Sequence, residues 1–71
     1  HHVDDGCSVT PYRSAENLAS KFPLVSVRGG MPAQSGPCEA LSAHGYLGKE
    51  AQTIAAIRNW MLGRLFPGRI D

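Results

Sequence analysis

Reactive side chains fall in four places along this 71-residue chain: the Asp4-Asp5 pair, Cys7, Cys38 and His44. A carboxylate beside a histidine is the acid–base half of a hydrolytic triad. The imidazole takes the proton from a nucleophile, while the carboxylate fixes its tautomer and stabilises the imidazolium. A blander role is open to the same residues, with Asp4 and Asp5 solvating a turn and His44 exposed. The third member of a triad has no evident source. Six serines stand at positions 8, 14, 20, 26, 35 and 42, and none occupies a Gly-x-Ser-x-Gly elbow between strand and helix. The two cysteines allow one intramolecular bridge, which would tie the loop holding Asp5 to the loop holding His44 and contribute roughly 3–4 kcal/mol in the chain-entropy account. Two independent buried thiols fit the count nearly as well. Metal binding is the rival chemistry. His1, His2, Asp4, Asp5, Cys7, Cys38 and His44 supply donors enough for zinc, but there is no Cys-x-x-Cys and no His-x-x-x-His. His1-His2 can also be read as the scar of an affinity tag.

Punctuation and periodicity give the elements that must position these groups. Thr10 reads as an N-cap and Pro11 as a first helical residue. Tyr12, Ala15, Leu18, Ala19 and Phe22 recur at spacings of three and four, which predicts a helix over 11–22, stopped by Pro23. Leu24-Val25-Ser26-Val27, closed by Gly29-Gly30, reads as a short buried strand over 24–28. A helix feeding such a strand is half of a β-α-β unit, so His1-His2-Val3 becomes the end of an earlier strand whose body lies outside the chain. Residues 1–10 then form an acid turn at the carboxyl edge of a parallel sheet, where ligand and catalytic groups gather. The Gly- and Pro-rich stretch 29–48 is a long loop that brings His44 to the same edge. A second helix is predicted over 49–62, with Ala51, Ile54, Ile57 and Met61 as its apolar stripe, joined by Trp60. Gly63 suits its C-terminal end, and 63–71 is a tail.

Composition narrows the class. Seven Lys/Arg against six Asp/Glu leave a formal charge of +1, too balanced for a nucleic-acid binder that works through a basic patch. A hydrophobic fraction of 42% with so little net charge excludes a charge-driven disordered tail. No window approaches 18 consecutive apolar residues, so no membrane span is expected, and residues 1–5 carry neither the basic region nor the apolar run of a signal peptide. A chain of this length buries only about 60% of its unfolded surface, which makes its core marginal without help.

The order of acid turn, helix, short strand, histidine loop and final helix resembles the C-terminal end of an α/β-hydrolase, a family whose triad runs nucleophile, acid, histidine along the chain. His1-His2-Val3-Asp4-Asp5 through Thr10-Pro11 is similar to the acid turn often written His-Gly-x-x-Asp. Ala43-His44-Gly45-Tyr46, with Glu50 and the helix ending Ile57-Arg58-Asn59-Trp60-Met61, is similar to the histidine loop and last helix. The match runs from residue 1 to about 62. Within the family, a fuller pattern of His-His-x-Asp-Asp-x-Cys with Pro-Cys-Glu-Ala-Leu-Ser-Ala-His-Gly marks one subgroup. Two departures stand out: histidine replaces the usual glycine at His2, and the stretch from Met31 to Ala43 is longer than the usual link.

The resemblance implies an α/β fold class: the C-terminal β-α-β-α portion of an α/β-hydrolase-like parallel sheet, incomplete on its own. It implies His44 as general base and Asp5 as acid, three residues after the His2 position, with Asp4 the alternative. It implies that His1-His2 are native, that Cys7 and Cys38 pair, and that the parent is a serine hydrolase of the esterase, lipase or peptidase kind, periplasmic or secreted. No cofactor or metal is expected. The substrate would be a small ester or amide, and the chain alone would be inactive. The partner would be the remainder of the hydrolase domain or further copies of the chain, with no nucleic acid and no membrane span. A second reading is a small disulfide-stapled module without catalytic activity, binding a partner through the 49–62 helix with Trp60, Met61, Leu65 and Phe66 as anchors.

Overall fold

The Thr10-Pro11 step opens the first helix, though not with a threonine cap. In the computed structural model, which describes residues 1–71, Pro11 itself is the N-cap residue, in extended conformation. Helix α1 spans Tyr12–Leu18, and no side chain caps it. The Thr10 hydroxyl is engaged with Asp5 and His44 instead. The helix stops four residues short of Phe22: the N–H groups of Lys21 and Phe22 both turn back to the Leu18 carbonyl. None of its residues is buried.

Strand β1 is only Ser26–Val27. Its partner in the sheet is β2, Arg69–Ile70, drawn from the tail. The two run parallel, with Ser26 opposite Arg69 and Val27 opposite Ile70. The ladder is completed by Ser26 N–H to Gly68 O at 3.0 Å and Arg28 N–H to Ile70 O at 2.7 Å. On the other side of β1, His2 forms a single parallel bridge to Val27, through Val27 N–H to His1 O and Val3 N–H to Val27 O, both 2.9 Å. A 3-10 turn at Ala43–Gly45 precedes helix α2, Glu50–Met61. That helix ends in a Schellman motif, with Gly63 at φ 67°, Gly63 N–H on Trp60 O and Arg64 N–H on Asn59 O.

These elements overturn the expected fold class. Along the chain they run α1, β1, α2, β2, not β-α-β-α. The segment read as the end of a first strand contributes one bridge, and the segment read as a tail contributes the second strand. Two helices and a two-stranded sheet, each strand two residues long, are too little to constitute a portion of an α/β-hydrolase sheet. The physical reason lies in the pairing. Each neighbour of β1 offers one or two residue pairs, and parallel ladders that short end where the backbone hydrogen bonds end.

The core is equally brief. Val27, at 1% exposure, packs with Ala56 and Ile70, and Val25, Tyr46 and Phe66 lie against this cluster. Helix α2 turns Thr53 and Ala56 inward. The apolar stripe expected to be buried faces out: Ala51, Ile54, Ile57 and Met61 are all exposed. Phe22, Trp60 and Leu65 are exposed as well. Eight of 71 residues are buried, and the surface is 4947 Å², against about 4,300 Å² for a compact monomer of this mass. Phe22, Pro23, Val25, Ile57, Trp60 and Phe66 line an open apolar groove of about 300 Å³ alongside the core. No helix is long and apolar enough to cross a membrane. Exposed apolar surface of this extent favours association. Analytical ultracentrifugation of the purified chain should therefore find dimers or larger species at micromolar concentration; a single monomeric boundary over that range would refute the expectation.

Candidate acid–histidine site

The site is built on the acid turn. Asp5 N–H donates to His2 O at 3.2 Å, and the Asp5 carboxylate accepts from Cys7 N–H through Oδ1 at 2.9 Å, a side-chain-closed turn of the kind aspartate favours. The His2 ring, 3% exposed, fixes the base of this turn. Its Nε2–H donates to Gly29 O at 2.8 Å, and its Nδ1 accepts from Asp4 N–H at 3.0 Å. Since a carbonyl only accepts and an amide only donates, the His2 tautomer is determined. The histidine that stands where the resembling family has glycine thus binds the acid turn to the end of the β1 segment.

Opposite lies the histidine loop. Its ends meet through Met31 N–H on Leu47 O at 3.0 Å. Its interior is held by buried Ser42, whose hydroxyl donates to Glu39 O at 2.8 Å. The Ala40 carbonyl passes so close to Gly45 that any Cβ there would collide with it. Tyr46 closes the 3-10 turn in the left-handed region, at φ 61°, a conformation that costs a non-glycine residue roughly 1–2 kcal/mol. These two constraints set the direction in which His44 leaves the backbone.

Between the two loops, His44 Nδ1 lies 3.0 Å from Asp5 Oδ2. The carboxylate can only accept, so Nδ1 carries the hydrogen, and in the neutral imidazole Nε2 then presents the lone pair. The Asp5 side chain is 3% exposed and that of His44 33%, so the acid is enclosed and the base is reachable. Thr10 Oγ1 sits 3.2 Å from His44 Nδ1 and 3.5 Å from Asp5 Oδ2. His1 Nε2 reaches the same Oδ2 at 3.0 Å and Thr10 O at 2.8 Å. Tyr46 borders this cluster. Burial, and secondarily the Asp5 charge, hold its hydroxyl above its ordinary pKa, so it stays a neutral phenol at physiological pH.

Of the residues singled out from sequence, Asp5 and His44 are brought together. Asp4 is not: its side chain is exposed, and only its backbone serves the turn. Cys7 and Cys38 form a disulfide across 31 residues, joining the acid turn to the histidine loop directly beside the pair. His1, His2, Asp4, Asp5, Cys7, Cys38 and His44 do not assemble a metal site, for no group of three or more His, Cys, Asp or Glu side chains is placed to hold an ion. None of the six serines hydrogen bonds to His44. Ser26 meets Tyr12, Ser35 meets Gly36 and Ser42 meets its own loop, while Ser8, Ser14 and Ser20 are exposed. Sequence reasoning missed Thr10 and His1. Threonine before proline at a helix start has a ready explanation as a cap, which concealed the role its hydroxyl has here.

No protein-family model matches the chain, and neither a curated protein nor a solved structure does.

Two measurements check the site. Thiol titration of the unfolded, unreduced chain should find no free cysteine; two free thiols would refute the bridge. Gly45→Ala should expel the 3-10 turn from beneath Ala40 and break the His44–Asp5 contact. Its amide spectrum should then shift through residues 40–47 and at Asp5 while the β1–β2 signals stay put. An unmoved Asp5 would show that the glycine is dispensable.

Proposed function

We propose that this chain supplies the acid and the general base of a serine hydrolase acting on ester or amide bonds, with the nucleophile on polypeptide outside it. The observation that carries the reading is the 3.0 Å contact from His44 Nδ1 to the enclosed Asp5 Oδ2, with the His44 side chain one-third exposed and its Nε2 without a hydrogen-bond partner. In such a pair the incoming hydroxyl gives its proton to Nε2 as it attacks the acyl carbon. The imidazolium so formed is stabilised by the carboxylate and then protonates the leaving group. Asp5 keeps its charge throughout; its role is to hold the tautomer and offset the developing positive charge. The sequence resemblance supports the same reading, since it implies His44 as the base and Asp5 as the acid, with Asp4 the alternative. The disulfide supports a protein matured in an oxidising compartment, periplasmic or secreted.

The partner is the remaining part of that hydrolase, or a second copy of the chain, covering the groove and the outward face of α2. A second reading, a catalytically inert interaction module, is favoured by exposed apolar residues at the end of α2 and just after it: Trp60, Met61 and Leu65 stand clear of the core, while Phe66, the fourth expected anchor, packs against it.

A fluorophosphonate probe separates the two. The isolated chain should take no label. The protein that joins it to the in-frame sequence encoded upstream should be labelled on a serine there. Labelling should be abolished by His44→Ala, slowed by about 10⁴-fold in Asp5→Asn, and left intact in Asp4→Asn. Labelling of the isolated chain, or persistence of labelling in His44→Ala, would sink the proposal; no labelling of the longer protein at all would favour the module.

A further inference from the structure

We infer that the outward face of α2 is an interface between two copies of this chain, packed antiparallel about a two-fold axis that passes beside Ile54. The inference goes beyond the hydrolase reading and does not rest on it.

Thr53 and Ala56 settle which side of α2 meets the core. On the side turned away from them, Ile54, Ile57 and Met61 recur at spacings of three and four and form one apolar stripe in water. Ile54 is 63% exposed and Met61 73%. The chain as a whole exposes about 650 Å² more than a compact monomer of its mass. Two copies hiding that excess against each other would bury about 1,300 Å² in all, within the range of specific protein–protein interfaces.

The charges on the stripe fix the partner and its direction. Glu50 opens the helix, and Arg58 stands about two turns later beside the same apolar residues. Both are exposed, and neither has an ion-pair partner within its own chain. When Ile54 lies opposite Ile54 of the other copy in an antiparallel pair, positions four residues to either side meet. Glu50 of each chain then faces Arg58 of the other. The same register sets Ile57 against Ala51, a large side chain against a small one, so the helices can approach closely. A parallel pair would set Glu50 on Glu50 and Arg58 on Arg58, like charges that oppose it. An isologous contact uses one patch on both chains and closes at two. A stripe that carries its own complement of charge and size is therefore suited to a second copy.

The test is the dissociation constant of the chain measured by sedimentation, with the α2 amide signals and the Cys7–Cys38 bridge verifying the fold of each variant. Ile54→Glu sets two carboxylates together at the axis without touching the core, and should weaken association about a hundredfold. Leu65→Ser, a control at a fully exposed residue off the stripe, should leave it unchanged. Arg58→Glu should weaken association about tenfold, since each dimer has two such pairs. Adding Glu50→Arg to it should restore the lost affinity. Within one helix these positions are about 12 Å apart, so the rescue cannot arise inside a single chain. Should Arg58→Glu fray α2, Glu50→Gln is read in its place. Its amide oxygen can still accept from Gly48 N–H, and the weakening expected is about threefold. A monomeric unsubstituted chain, undiminished association of Ile54→Glu, or association lost in Leu65→Ser overturns the inference. So does a double variant no tighter than Arg58→Glu, or a Glu50→Gln chain as tight as the original. None of these outcomes touches the His44–Asp5 pair, so the hydrolase reading stands or falls separately.

Discussion

A carboxylate held out of water needs hydrogen bonds at both oxygens, because an unpaired charge in a poorly solvated place costs several kcal/mol. At Asp5 those bonds come from Cys7 N–H, His44 Nδ1 and, at 3.5 Å, the Thr10 hydroxyl, with the His1 ring in contact beside them. The three donors belong to the acid turn, the histidine loop and the lead-in to α1. Satisfying one side chain therefore requires three pieces of backbone to converge. The rest of the structure follows from that requirement: His2 anchors the turn, Ser42 and Gly45 shape the opposite loop, and the disulfide closes the gap between them.

Polar and apolar groups are treated very differently in this chain. No buried side-chain nitrogen or oxygen lacks a hydrogen-bond partner. The apolar residues are left largely in water, with three aliphatic side chains making up the core cluster. Polar networks specify geometry but contribute little net stability, since their bonds replace bonds to water. Burial supplies most of the driving force, and here it is short. The precise part of the molecule is thus the site, while the part that would ordinarily stabilise it, the two faces of α2 and the sheet, is left half-made.

What could be read from the residues follows the same division. Asp5, His44 and the two cysteines have distinctive chemistry, and their types and order mark them in the sequence itself. Helix α2 was legible from its length and its closing Gly63. Strand β1 was legible in part, since Ser26–Val27 lies within the β-branched run expected over 24–28, but β2 was not, because two residues show no periodicity. The tail residues Leu65, Phe66 and Ile70 are apolar enough to pack back, and Ile70 and Phe66 do while Leu65 does not; the parallel pairing of Ile70 with Val27 is what the residues alone do not reveal. The inward face of α2 was misread for a related reason. The strongest apolar spacing ran through Ile54, Ile57 and Met61, whereas the sheet beneath is so small that the less conspicuous Thr53 and Ala56 suffice to cover it. The fold class failed with the strands, since it was inferred from their expected order.

The disulfide also bears on how the pair is found during folding. Asp5 and His44 are separated by 39 residues of chain. Once Cys7 and Cys38 are joined, the path between the two side chains runs through the sulfurs and shortens to roughly nine residues, which by loop-closure scaling lowers the entropic cost of their meeting by about 1.3 kcal/mol. That corresponds to a local concentration of imidazole around the carboxylate about nine times higher. The oxidised but still unfolded chain is then already biased toward its acid–base contact, before the core has formed.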